Sequence, residues 1–262
     1  VRGVIDSNDL PLNVSREILQ SNRVIDSMRS GSVKKVLGLL KKIAKNEPKQ
    51  YADFWGQFGK VLKEGPVEDF ANKEEILKLL RFASTQNGSD AQDVSLEDYI
   101  SRMKEGQDKI YYITADSYNA AKNSPHLEIF NKKGIEVLLM SERVDEWLMG
   151  QIQDFEGKSF QSVAKGELDL SALKGEEEDE EETEQDKNLL EKIKKTLSER
   201  VEDVRNSVRL TQSPSCIVLN EHDMAMYMQQ LMKQAGQEMP TSKPVLEVNT
   251  GHPILKRMQE EK

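Results

Sequence analysis

Between Glu176 and Asp186 the chain reads EEEDEEETEQD, nine acidic residues without a basic one. Like charges packed that densely repel, stay hydrated and bury nothing. No single core can run through this stretch, so the chain must organise itself on either side of it. The run also carries the whole net charge of −9, because the acidic residues outside it are balanced by the 37 lysines and arginines. Elsewhere acids and bases interleave, with no basic stripe of the kind that nucleic acid requires, so no nucleic-acid partner is expected.

The 262 residues are ample to bury a core, and a mean hydropathy of −0.66 with 32% charged residues predicts a charge-rich, helical protein. The most apolar run, Ile135 to Met140, is short and contains Glu136, so neither a membrane span nor a membrane partner is expected. Residue 1 is Val and no basic-then-apolar leader follows it, which reads as a piece of something longer without a secretory signal. Cys216 is the only cysteine and has no internal disulfide partner, which fits a reducing compartment, the cytoplasm by default.

Periodicity divides the rest. From Ser15 to about Lys63 apolar residues recur at helical spacing, ending with Tyr51, Phe54, Trp55, Phe58, Val61 and Leu62; Gly31 and the Asn46-Glu47-Pro48 stretch are expected to break them into a helical hairpin array. From about residue 72 element types alternate. Asn72 opens a helix with Ile76, Leu77, Leu79 and Leu80, and Ser95 with Asp98 resembles a capping box before a helix ending near Gly106. Ile110–Thr114 reads as a strand, Ser117 to Lys133 as a helix broken at Pro125, and Ile135–Met140 as a second strand, favouring a parallel pair with a crossover. After the acidic run come a helix from about Lys187 to Glu199, strands at Val204–Leu210 and Cys216–Leu219, a helix from about Asp223 to Ala235 and a strand at Val245–Val248. The expected class is α/β (α+β): helical array, small αβα sandwich, small α+β C-terminal part.

Enzymatic signatures are missing. There is no G-x-G-x-x-G, P-loop or G-x-S-x-G, and His126, His222 and His252 are too scattered for a zinc site, reading instead as surface or cap residues. Cys216 in SCIVL reads as a small buried hydrophobe. Three features remain. Arg16 sits in the first turn of a helix capped at Ser15, with Gln20 four residues on, so both project from one face; the pair suits a phosphate presented by another domain, or Arg16 is a surface residue paired with Glu17 or solvent. On the helix at 223–235, Met224, Tyr227, Met228, Leu231, Met232 and Ala235 share one arc opposite Met226, Gln229, Gln230 and Lys233. That arc is either an adaptable methionine surface or an ordinary core stripe. Trp147, beside Asp145 and Glu146, suits contact with apolar and basic chain segments, or simply covers the sheet edge.

The stretches VRGVIDSNDLPLNVSREILQ, YADFWGQFGKVLKEG, VSLEDYISRMKEGQDKIYYITADS and SPHLEIFNKKGIEVLLM resemble the ninety-kilodalton heat-shock chaperones, in their bacterial form. The resemblance runs through essentially the whole chain and is most specific up to about Val163. It implies residues 1–70 as the end of the middle domain's large part with a helical connector, 71–173 as its small αβα part, 174–187 as an acidic linker, and 188–262 as a C-terminal domain without its final dimerisation helices. The ATPase domain and the front of the middle domain would then be absent.

The intact protein would be an ATP-hydrolysing homodimer using ATP and magnesium, whereas this fragment alone would bind no nucleotide. Arg16, in the family's SRE motif, resembles the arginine that reaches the γ-phosphate of ATP held by the separate N-terminal domain, and Gln20 resembles its companion. Glu146, Trp147, Met224, Met228, Leu231 and Met232 match positions that bind partly folded clients. Met232 stands where relatives often carry an aromatic, and Gly150 where a polar residue is more usual. The expected function is therefore a chaperone segment; the alternative is a passive helical scaffold docking one fixed partner.

Overall fold

A computed structural model of the chain describes residues 23–170, 183–221, 223–236 and 242–260. The chain parts into two compact units, Val1–Gln57 and Phe58–Lys262.

Two helices fill residues 23 to 68: α1, Arg23–Asn46, and α2, Pro48–Glu68. The expected break at Gly31 does not occur. A glycine inside a helix costs only about 1 kcal/mol, and the turns on both sides propagate through it cooperatively. Pro48 does start α2, where its missing N–H costs nothing. The buried residues of α2 are Tyr51, Trp55, Gly59 and Lys63, at i,i+4 spacing, followed by Pro66 three residues on. Phe58 and Val61, assigned to the apolar face from the sequence, are instead more than half exposed.

In the second unit, α3 (Lys73–Leu77) leads to a five-stranded sheet formed by β1 (Ala83–Ser84), β2 (Lys109–Thr114), β3 (Leu138–Met140), β4 (Asp154–Phe155) and β5 (Lys158–Ser162). The order is β1-β3-β2-β5-β4, with β2 parallel to both β3 and β5 and antiparallel strands at the edges. The expected parallel pair registers Tyr112 with Leu138 and Ile113 with Leu139. Its crossover is broken at Pro125 as expected, into α5 (Tyr118–Lys122), a 3-10 turn (Pro125–Leu127) and α6 (Glu128–Lys133). Gly134 closes α6 at φ 60° in the left-handed region, where a side chain would be strained.

Tyr111, Ile113, Phe130, Val137, Leu139 and Val163 form the core beneath the crossover. A further helix, α4 (Leu96–Ser101), starts on the expected Ser95/Asp98 capping box and ends earlier than Gly106. Tyr99 ties it to the sheet: its hydroxyl donates to the Glu136 carbonyl at 2.8 Å and accepts from the Tyr111 amide at 2.9 Å. After β3 the chain forms α7, Arg143–Met149.

Beyond the acidic run, α8 spans Glu184–Thr196 and begins three residues before the expected Lys187. Thr183 and Asp186 form a capping box, in which Thr183 Oγ1 accepts from the Asp186 amide and the Asp186 carboxylate accepts from the Thr183 amide. The last residues of the acidic run are therefore helical. Strands β6 (Asp203–Asn206), β7 (Ser215–Val218) and β8 (Val245–Val248) form a second sheet in the order β6-β8-β7, flanked by α9 (Met226–Gln234) and α10 (Pro253–Glu260). The sequence reading missed α10, which His252 caps by accepting the Ile254 amide on Nδ1.

Within this unit polar groups, one of them fully buried and one partly exposed, tie the first sheet's layer to the second. Arg209 is completely buried; it donates to the Val163 carbonyl at 2.7 Å and the Gly166 carbonyl at 3.0 Å, and its Nε lies 2.9 Å from the Glu247 carboxylate, itself buried. The Glu128 carboxylate, at the start of α6, accepts from the amides of Thr211, Gln212 and Ser213. Desolvation opposes its charge, but the Ser213 hydroxyl and these amides outweigh that and hold it below the usual carboxylate range.

Candidate functional site

Arg16 and Gln20 lie outside the described residues. Glu146 and Trp147 sit on α7, whose N-terminus is fixed by a box between Glu142 and Asp145. Behind it, Lys63 of α2 is buried with its Nζ 2.6 Å from Asp145 and 2.8 Å from Glu142, over the Phe82 ring. Burial pushes the fully buried Asp145 carboxyl up from its ordinary value, and Lys63 opposes that rise.

Glu146 is not free to meet a ligand. Its Oε2 accepts from the Thr114 hydroxyl at 2.6 Å, and its Oε1 accepts from Lys165 Nζ at 2.6 Å and the Ala225 amide at 2.9 Å. Trp147, by contrast, is 40% exposed. On the sequence alone the two residues looked alike, as neighbours on one motif; the structure separates them into a buried tie and an open aromatic.

The α9 methionine arc is neither core nor open surface. Met224, Met228, Leu231 and Met232 are all half-buried, and no residue of α9 is fully buried. A cleft of about 1280 Å³ runs between the end of β2 and α9, where Met226, Gln229, Gln230, Lys233 and, from the arc, Tyr227 line it. Met224, Met228, Leu231 and Met232 do not line this cleft.

His126, expected as a surface or cap residue, is buried on the cleft wall. Burial, and then the nearby Arg209 charge, push its pKa down to about 4 from 6.5, against a backbone hydrogen bond at Ile217. The folded protein therefore keeps it neutral where the unfolded chain takes up a proton. Stability is fully present above pH 6.5 and falls as pH drops through the window down to about 4. Urea midpoints across that window should decline, and His126→Phe should flatten the decline; an equally steep variant would remove His126 as its source.

Cys216 is buried as expected, with its thiol pushed up to about 12 by desolvation first and Glu247 second. Among the described residues no cluster of three His, Cys, Asp or Glu is placed to hold a metal ion, and no helix is long and apolar enough to cross a membrane. Lys63, Glu128, Lys165 and Arg209 went unnoticed in the sequence. For Lys63 a signal existed: it continues the i,i+4 row of Tyr51 and Trp55.

The mixed α/β fold and the sequence together place the chain in a known class. Residues 1–262 match the family model described as Hsp90 protein, and the chain belongs to the Hsp90 family. The Chaperone protein HtpG of Nitrosococcus oceani is 61% identical over 264 residues, covering 100% of this chain and 42% of that protein. The Chaperone protein HtpG of Alkalilimnicola ehrlichii is 59% identical, over 98% of this chain and 40% of its own length. That of Legionella pneumophila subsp. pneumophila is 55% identical, over 99% and 42%. The chain spans about two fifths of the length of these relatives.

Proposed function

We propose that the chain is a chaperone segment that binds partly folded client proteins and completes the ATPase site of a separate N-terminal domain. The observation that carries this reading is identity of 61% to a protein named as a chaperone, over the whole chain. The exposed Trp147 and the half-buried methionine arc supply an apolar, adaptable surface of the kind an indiscriminate binder uses.

Arg16 would reach the γ-phosphate, with Gln20 beside it, once the N-terminal domain closes over ATP and magnesium. A forked cation on a transferring phosphoryl group stabilises charge that develops only in the transition state. Supplying it from another domain makes hydrolysis depend on closure, within a cytoplasmic homodimer. The chain by itself would then neither bind nor hydrolyse ATP.

In the longer protein, Arg16→Ala should cut ATP turnover by about tenfold or more with little change in nucleotide affinity, because uniform binding is untouched. Unchanged turnover would remove Arg16 from the mechanism. Competition among several unrelated unfolded proteins for the chain would support client binding; a single partner with fixed stoichiometry would replace that reading with a scaffold.

A further inference from the structure

We propose that Asp145 and Glu146, adjacent carboxylates on α7, form a two-sided clamp that grips α2 through Lys63 and the first turn of α9 through the Ala225 amide. Trp147, the next residue, is thereby fixed relative to the α9 methionines. Lys63, Glu146 and Lys165 are then positioning residues of the client surface and do not touch clients. This inference rests on the client-binding reading above.

Successive residues of a helix point about 100° apart, so two neighbouring acids cannot serve one partner. Asp145 turns to Lys63 at 2.6 Å and is completely buried. Glu146 turns to Lys165, and its side chain is only 10% exposed. A carboxylate that reads basic clients needs open lone pairs and unspent charge. Both Glu146 oxygens already accept, and Lys165 sits at 2.6 Å.

The far side of the clamp answers a need of α9. Ala225 stands at its N-cap position and has no side chain with which to cap it. Exposed amides at a helix start carry partial positive charge and favour an anion. The Glu146 carboxylate supplies that anion from another element, as a cap borrowed from α7. Among the described residues no other group accepts from the Ala225 amide, so without Glu146 the helix that bears Met228, Leu231 and Met232 loses its anchor to α7.

The test uses Lys165→Met, Glu146→Gln, Glu146→Ala and the double variant Lys165→Met with Glu146→Gln. Two readouts apply: affinity for fluorescein-labelled, reduced and carboxymethylated α-lactalbumin, and hydrogen exchange at the Ala225 amide. Breaking the pair by removing Lys165 leaves a mostly buried charge uncompensated, so Lys165→Met should weaken binding about tenfold and speed exchange at Ala225. Glu146→Ala should do the same. Glu146→Gln keeps an acceptor for Ala225 but strands the mostly buried Lys165 ammonium, so exchange at Ala225 should stay slow while affinity falls less than in Glu146→Ala, and the double variant, which removes both charges, should recover most of the affinity.

A direct contact predicts otherwise: Glu146→Gln and Glu146→Ala lose binding equally, exchange at Ala225 stays slow, and the double variant shows no recovery. That pattern would overturn the clamp. Trp147→Ala and Met228→Ala separate the two ideas. Should neither alter binding, the client surface is misplaced, while exchange at Ala225 still decides whether Glu146 holds α9.

Discussion

Arg209→Met should lower the unfolding free energy by about 3–5 kcal/mol, the cost of leaving buried polar partners unmatched. Three acceptors lose their donor at once: the Val163 carbonyl, the Gly166 carbonyl and one Glu247 oxygen. Glu247 is not left wholly alone, since Arg205 donates to its Oε1 and the Ser207 hydroxyl to its Oε2. The Gly166 carbonyl keeps a long contact from Arg205 at 3.5 Å, so the loss is borne first by the Val163 carbonyl and then by that of Gly166, both in the segment after β5. Neutralising Glu247 as well should not restore stability, because Arg205 would then lose one of its two carboxylate partners and keep only the exposed Glu167. Urea unfolding followed by circular dichroism reads the effect; a loss below about 1 kcal/mol would mean that water or neighbouring groups take over these bonds.

Lys63→Met should cost about as much for a different reason, and its signature is rescue. Asp145 is completely buried, and without the ammonium its charge has no compensation beyond the Glu142 amide. The group escapes by binding a proton, so the loss should be largest at neutral pH and shrink as pH falls. Asp145→Asn keeps an acceptor for the Glu142 amide and removes the charge, so the double variant should regain most of the stability that Lys63→Met loses. Additive losses in that cycle would show that Lys63 and Asp145 do not depend on one another.

What could be read from the chain, and what could not, follows the reach of each interaction. Pro48, the Ser95/Asp98 box, the break at Pro125 and the strand at Val245–Val248 are set by residues within a turn of one another, and each stands where the pattern put it. Gly31 misled because a helix is decided by its neighbours as much as by one residue. Short edge strands β1 and β4 have no periodicity to read, being only two residues each.

Buried charges were the least visible. Lys63, Arg209 and Glu247 look like solvated residues until a partner arrives from a distant element. Glu146 shows the same limit at the candidate site. Its position beside Trp147 suggested exposure, and only the fold reveals Lys165, Thr114 and Ala225 around it.

The burial of Cys216 has a consequence for oxidative damage. Peroxides attack thiolates, and a sulfhydryl held neutral with its pKa near 12 offers almost none at physiological pH. The vulnerable sulfurs lie elsewhere: Met226 is 56% exposed on the polar side of α9, and Met228 and Met232 on its apolar arc are only half covered. Oxidant would turn those thioethers into polar sulfoxides, blunting the greasy face while the backbone around Cys216 stays intact, and reductases that reverse sulfoxides would restore it.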